Sequence, residues 1–130
     1  MASKDIKDCD EELQKLIALF LEKCKAINFD ILIYCTYRSD KEQEELFSIG
    51  RTLPGKRITN ARAGQSKHNA TKNGKPASKA FDAVPIKKGK ALWNDNNAIE
   101  LMGSIGESVG LVWAGRWKSF KERVHFELKD

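Results

Sequence analysis

The chain has 130 residues, of which 41% are apolar and 32% charged, and 23 basic against 18 acidic side chains give a net charge of +5. That size holds one domain with its own core and excludes two ordinary ones, and it removes the need for disulfides or a structural metal. The positive balance favours polyanionic surroundings, whether nucleic acid, anionic membrane or acidic wall polymer.

Asp8 and Glu11 read as a capping box that opens a helix over residues 9–26. Leu13, Leu16, Ile17, Phe20, Leu21 and Cys24 repeat along it at helical spacing and form one core-facing stripe. Phe29 to Tyr37, rich in β-branched and aromatic residues, reads as a strand. Ser39 and Glu42 form a second capping box, for a helix ending near Gly50. Residues 51–78 are polar, contain Pro54 and Pro76, and carry few bulky apolar side chains. A stretch of that kind is either disordered or a functional surface held by the scaffold.

Lys79 to Ile86 resumes a strand pattern, and Pro85 places it at a sheet edge or ends it there. Asp95 caps a helix on which Ala98, Met102, Ile105 and Val109 share a face and which Gly110 closes. Short β-like pieces follow at Leu111–Trp113 and Val124–Leu128. Without repeats or a linker, this order predicts one small α+β domain over residues 1–130.

The longest apolar run, near Leu16 to Leu21, is too short to cross a bilayer. The start, M-A-S-K-D-I-K-D, lacks the apolar h-region of a secretory signal, so synthesis in the cytoplasm is expected. Cys9, Cys24 and Cys35 are odd in number and include no C-x-x-C pair, which suits free thiols in a reducing compartment. Cys24 in a helical stripe and Cys35 in a strand read as core residues.

The chain has two histidines, His68 in S-K-H-N and His125 in E-R-V-H-F-E, and neither sits in an apolar helical stripe. Two imidazoles and a carboxylate would leave zinc an open position for the water that hydrolysis needs. Asp82 is the best carboxylate, because it interrupts the apolar segment A-F-D-A-V, where a half-buried charge must be paired or bind a metal. Glu122 and Glu127 flank His125, and either could lie beside such a metal, one as general base and the other supporting a ligand. Spacing alone leaves that choice open.

Five pieces then recur in a familiar order: Y-R-S (37–39) with Gln43, G-Q-S-K-H-N (64–69), N-G-K-P-A-S-K-A-F-D (73–82), G-L-V-W-A-G-R-W (110–117) and E-R-V-H-F (122–126). Together they resemble the zinc peptidases that include D-alanyl-D-alanine carboxypeptidases, L-alanyl-D-glutamate endopeptidases and many phage endolysins. The resemblance spans roughly residues 10–128 and implies a Hedgehog/DD-peptidase-like fold, a central antiparallel sheet flanked by helices. It implies one zinc per chain on His68, Asp82 and His125, with Glu122 as the base. It also makes Arg38 the group that stabilises the oxyanion, a role suited to a permanently charged guanidinium. Gln43 and Ser66 match positions that orient substrate or ligands, and Trp113 and Trp117 read either as core and edge packing or as an aromatic wall for a peptide, with Trp117 the stronger candidate for that wall.

Two features depart from the pattern. Thirteen residues separate His68 from Asp82, more than in many relatives, and the extra piece around A-T-K-N-G-K-P reads as an inserted turn. The base is Glu122, where the endopeptidase subgroup often has Asp.

The resemblance therefore predicts a monomeric peptidoglycan peptidase that cuts the L-alanyl-D-glutamate bond of the stem peptide and reaches the wall after release from the cytoplasm, without binding nucleic acid or inserting into membrane. The alternatives are a D-alanyl-D-alanine carboxypeptidase or dipeptidase, and a zinc-stabilised binding module without catalysis.

Overall fold

A computed structural model describes residues 2–119 and 121–130. Its first long element is helix α1, Glu11–Ala26, and Leu13, Ile17, Phe20 and Cys24 are its fully buried face. The stripe read from the sequence is thus the packing stripe, with Leu16 and Leu21 at its margins. The cap is two residues later than the spacing suggests. Asp10, not Asp8, accepts the Glu12 N–H at 2.9 Å. Asp8 closes a 3-10 turn at Ile6–Asp8 and takes the Ser3 hydroxyl at 2.6 Å.

Strand β1, Ile31–Cys35, leads into helix α2, Asp40–Ser48, where the Ser39–Glu42 capping box forms in both directions. Strands β2, Thr71–Lys72, and β3, Lys75–Pro76, make a small separate hairpin. Its turn places Asn73 and Gly74 at φ 54° and 75°. Two adjacent left-handed residues are what an Asn-Gly hairpin turn needs. The inserted turn expected between the ligand segments is this hairpin.

The long strand β4, Ala80–Lys87, is flanked by β5, Lys90–Ala91, and followed by helix α3, Asn96–Ser108. Strands β6, Val112–Trp113, and β7, His125–Glu127, complete an antiparallel sheet in the order β1-β4-β7-β6, with β5 paired to β4. β4 is therefore central, which corrects the edge placement suggested by Pro85. Ala83 sends its N–H towards β7, to Val124 O, and Ile86 sends its N–H towards β1, to Asp30 O. By that alternation the position of Pro85 faces the β7 side, and β7 pairs only as far as Asp82. Leu92 N donates to Pro85 O on that side at 2.8 Å, and the missing proline N–H falls at the end of the β4–β5 ladder, outside its registered pairs Ile86–Ala91 and Lys87–Lys90.

One face of the sheet receives α1 and α3. Phe20 from α1, Phe81 from β4 and Phe126 from β7 meet with ring centroids 5.1–5.9 Å apart. Each such ring, fully buried, contributes about 2–3 kcal/mol of hydrophobic stabilisation. α3 packs through Ile99, Met102, Gly103 and Gly106. That face is rotated from the Ala98–Met102–Ile105–Val109 stripe, because the sheet rings press on the two glycines: a Cβ on Gly103 would stand 2.2 Å from Trp113 and one on Gly106 2.3 Å from Phe126.

Candidate metal centre

The sheet carries chemistry on its other face, at a register point shared by three strands. Asp82 lies opposite Cys35 on β1 and opposite His125 on β7. The histidine on β7 is thereby set beside the carboxylate of β4. His68 arrives from the polar segment, on a 3-10 turn at Lys67–Asn69 capped by the Ser66 hydroxyl. Its backbone is tied to the end of β1, since Arg38 N donates to His68 O at 2.9 Å and the Asn69 amide donates to Arg38 O at 2.7 Å.

The three side chains converge on one carboxylate oxygen. His68 Nε2 is 3.1 Å and His125 Nδ1 3.0 Å from Asp82 Oδ1. Each imidazole has an acceptor behind it. His68 Nδ1 lies 2.7 Å from the Thr36 carbonyl and His125 Nε2 lies 2.9 Å from Glu127 Oε1. An N–H directed to each of those acceptors leaves a lone pair on the nitrogen that faces Asp82. Three electron-rich atoms then point at one place, an arrangement that calls for a cation.

Titration behaviour agrees. Burial opposes the charged ring of His68, but Asp82 beside it prevails and pushes it up to about 10. His125 is also raised despite its burial, through its hydrogen bonds to Asp82 and Glu127. Burial opposes ionisation of Asp82, yet the two histidines hold it far below the usual carboxylate range. In the chain by itself protons supply the positive charge that the cluster demands. Two nitrogens and one oxygen suit zinc, and on this donor set the residues fit it.

A second trio, Cys35, His68 and Asp82, also brings ligand atoms within 4.8 Å of one another. That side is already occupied by positive charge. Arg38 Nη2 lies 3.4 Å from Cys35 Sγ and 3.6 Å from Asp82 Oδ2. The sulfur stands 3.8 Å from His68 Nδ1, the nitrogen turned to Thr36. A metal there would face a guanidinium, so the His125 side of Asp82 is the better seat.

Glu122 reaches the same place from a turn. His125 N donates to Glu122 O at 3.3 Å, and Glu122 Oε2 comes within 3.6 Å of His125 Nδ1, the nitrogen facing Asp82. Burial raises its carboxyl above the usual value, partly offset by His125. Glu127 meets the opposite nitrogen of the ring and pairs with Lys67, so it can support His125 from the side away from Asp82.

A cleft of about 800 Å³ opens over the cluster. His68, Asp82, Glu122, His125, Arg38 and Trp117 all line it, and so does Ser66. The 58–61 and 65–68 segments form one wall, so the polar stretch is a surface held by the scaffold. Gln43 and Trp113 depart from expectation. Gln43 is fully buried, accepting from Arg38 Nη1 at 2.9 Å and donating to Ala61 O at 2.6 Å. It can position Arg38 and the cleft wall but has no surface for substrate. Trp113 is 2% exposed and donates its indole N–H to Arg123 O, so it is a core residue. Trp117 remains on the cleft, its ring centroid 5.8 Å from that of His125.

Tyr34 was not singled out by sequence reasoning and also lines the cleft. The register of β1 on β4 slips between Ile33 and Cys35, leaving Tyr34 as the extra residue of a bulge. Bulges re-aim side chains beside active sites, and regular alternation conceals them. The Thr36 carbonyl behind His68 and the pairing of Lys67 with Glu127 left no sequence signal either.

A family model described as D-alanyl-D-alanine carboxypeptidase matches residues 59–128, just over half of the chain and the half that carries His68, Asp82, Glu122 and His125. The chain belongs to that family. One relative is the peptidoglycan L-alanyl-D-glutamate endopeptidase CwlK of Bacillus subtilis, 35% identical over 108 residues. The match covers 76% of this chain, which spans 60% of the length of that curated relative. Among solved structures, the L-Ala D-Glu endopeptidase ChiX of Serratia marcescens has the same fold, with TM-score 0.70 and 18% identity over 99% of this chain and 89% of that one. VanY, a vancomycin-resistance D,D-pentapeptidase solved with Zn(II), matches at TM-score 0.65 and 12% identity over 92% and 72%.

Proposed function

We propose that the chain is a zinc peptidase of peptidoglycan that hydrolyses the L-alanyl-D-glutamate bond of the stem peptide. The observation that carries it is the convergence of His68 Nε2 and His125 Nδ1 on Asp82 Oδ1, each imidazole backed by an acceptor, with Glu122 alongside on the cleft. Zinc held by His68, Asp82 and His125 would polarise the scissile carbonyl and make water acidic enough to attack at neutral pH.

The rest of the chemistry belongs to the chain. Glu122 takes the proton of the attacking water and delivers it to the leaving amine. Arg38 stands at the edge of the cleft, and its Nε has no acceptor among the described residues. Its charge favours the oxyanion as it forms. Gln43 holds that guanidinium in place, while Trp117 and Ser66 line the path of the peptide. A role as a phage endolysin, one that acts on the wall after release from the cytoplasm, is compatible with this chemistry and with the net charge of +5.

The choice of bond is supported by the 35% identity to CwlK, whereas the VanY fold likeness keeps cleavage at a D-alanyl-D-alanine terminus as the second reading. The deciding experiment is a digest of purified peptidoglycan with and without a chelator, read by product mass. New N-terminal D-glutamate, lost with chelation and restored by zinc, supports the proposal. Released D-alanine transfers the chain to the second reading, and an intact substrate defeats both.

A further inference from the structure

Lys67 stands in the cleft wall without reaching Asp82, and its ammonium group is fully engaged. Nζ lies 2.9 Å from Glu127 Oε2, 2.8 Å from Asp130 Oδ1 and 2.8 Å from Leu128 O. Three acceptors match its three donors. The other oxygen of Glu127 is the one 2.9 Å from His125 Nε2. A continuous file therefore runs from Lys67 through Glu127 to His125 and on to Asp82 Oδ1.

We infer that Lys67 is a positioning residue for the metal centre, acting through Glu127 to fix the ring of His125. This rests on the zinc reading given above. Glu127 sits at the end of the three-residue strand β7, and its carboxylate could turn to solvent. The lysine bridges it on the outer side, so that one oxygen stays directed at the imidazole. Lys67 is also the residue next to His68, on the same 3-10 turn. The turn that delivers one histidine thus supplies the clamp for the other, and the two rings, 5.1 Å apart by centroid, are set as a pair. Supporting partners of this kind typically alter metal affinity by about 10- to 100-fold.

The bland explanation is that Lys67 only ties down the tail through Leu128 and Asp130. A series of full-length variants separates the two, with zinc affinity measured by chelator competition. Lys67→Met should weaken zinc about tenfold, and Lys67→Arg, which keeps a cation and its donors, should restore most of the loss. Asp130→Asn releases the tail contact without touching Glu127 and should bind zinc as the parent does. In a Glu127→Gln background, Lys67→Met should have no further effect. Unchanged affinity in Lys67→Met, an equal loss in Asp130→Asn, or a full loss persisting in the Glu127→Gln background each overturns the assignment. If the parent chain binds no zinc, the metal reading fails separately. The role of Lys67 is then read from the His125 Nε2–H signal in nitrogen-15 NMR of the metal-free protein. That signal should be protected in the parent and exchange-broadened in Lys67→Met, and equal protection in both removes the role.

Discussion

At the scale of single residues, the centre depends on which atom of each side chain is already committed. His68 and His125 present opposite nitrogens to Asp82, Nε2 and Nδ1, because the Thr36 carbonyl and Glu127 claim the other one. Replacing Asp82 by Asn removes the charge that draws both rings, and zinc affinity measured by chelator competition should fall at least about tenfold. Glu122→Ala tests a different property, since Glu122 lies beside the ligands rather than among them. We expect it to retain zinc while turnover of peptidoglycan falls about a thousandfold. Near-parental turnover would remove Glu122 from the mechanism. His68, Asp82 and His125 drew notice because polar residues break an apolar or featureless context there, while the preference for Glu122 over Glu127 came from motif resemblance. Gln43 and Trp113 are buried, so neither offers a surface to substrate; motif position does not report burial.

At the scale of elements, spacing located the helices and strands but not how each one turns. Helix α3 shows why. Its apolar periodicity marks Ala98, Met102, Ile105 and Val109, yet the face of closest approach carries Gly103 and Gly106. A glycine registers as neither apolar nor bulky, so a pattern of side chains overlooks the face where the sheet rings fill the space. Gly103→Ala should improve helix propensity by about 1 kcal/mol and still destabilise the protein. The new Cβ would stand 2.2 Å from Trp113, and overpacking of this kind costs up to about 3 kcal/mol. Thermal unfolding should show a midpoint several degrees below the parent, and a raised midpoint would refute the close-packing account. The bulge at Tyr34 is a similar case, since one extra residue in β1 leaves its composition unchanged while re-aiming a side chain onto the cleft.

For the molecule as a whole, the core and the centre occupy opposite faces of one sheet. Phe20, Phe81 and Phe126 hold one face together without help from a metal. Chelation should therefore abolish peptidoglycan digestion while the far-ultraviolet circular dichroism at 25 °C remains that of a folded chain; loss of the helical signal would favour a zinc-stabilised module. The buried thiols set an upper pH limit. Burial pushes Cys9 from 9.0 up to about 12 and Cys24 up to about 11. Above pH 9 the unfolded chain releases these protons and the folded chain retains them, so stability is full below that value and falls as pH rises towards 11. The unfolding midpoint should drop between pH 8.5 and 10.5 by a margin that narrows in Cys24→Ala, and an identical pH dependence in parent and variant would contradict it.

The sequence by itself determined the α+β class, the order of elements, the stripe of α1 and the Ser39 capping box, and its motifs singled out His68, Asp82 and His125, which the structure brings together. These follow from periodicity, local hydrogen-bond chemistry and short motifs, all encoded within a few residues. Tertiary structure alone decided that β4 is central, that α3 turns its glycines inward and that Lys67 meets Glu127. It also showed how the flanking glutamates meet His125, Glu122 within 3.6 Å of Nδ1 and Glu127 within 2.9 Å of Nε2. Those outcomes depend on strand register and on contacts between residues as far apart as 67 and 127, and no local pattern carries the information for pairing across such distances.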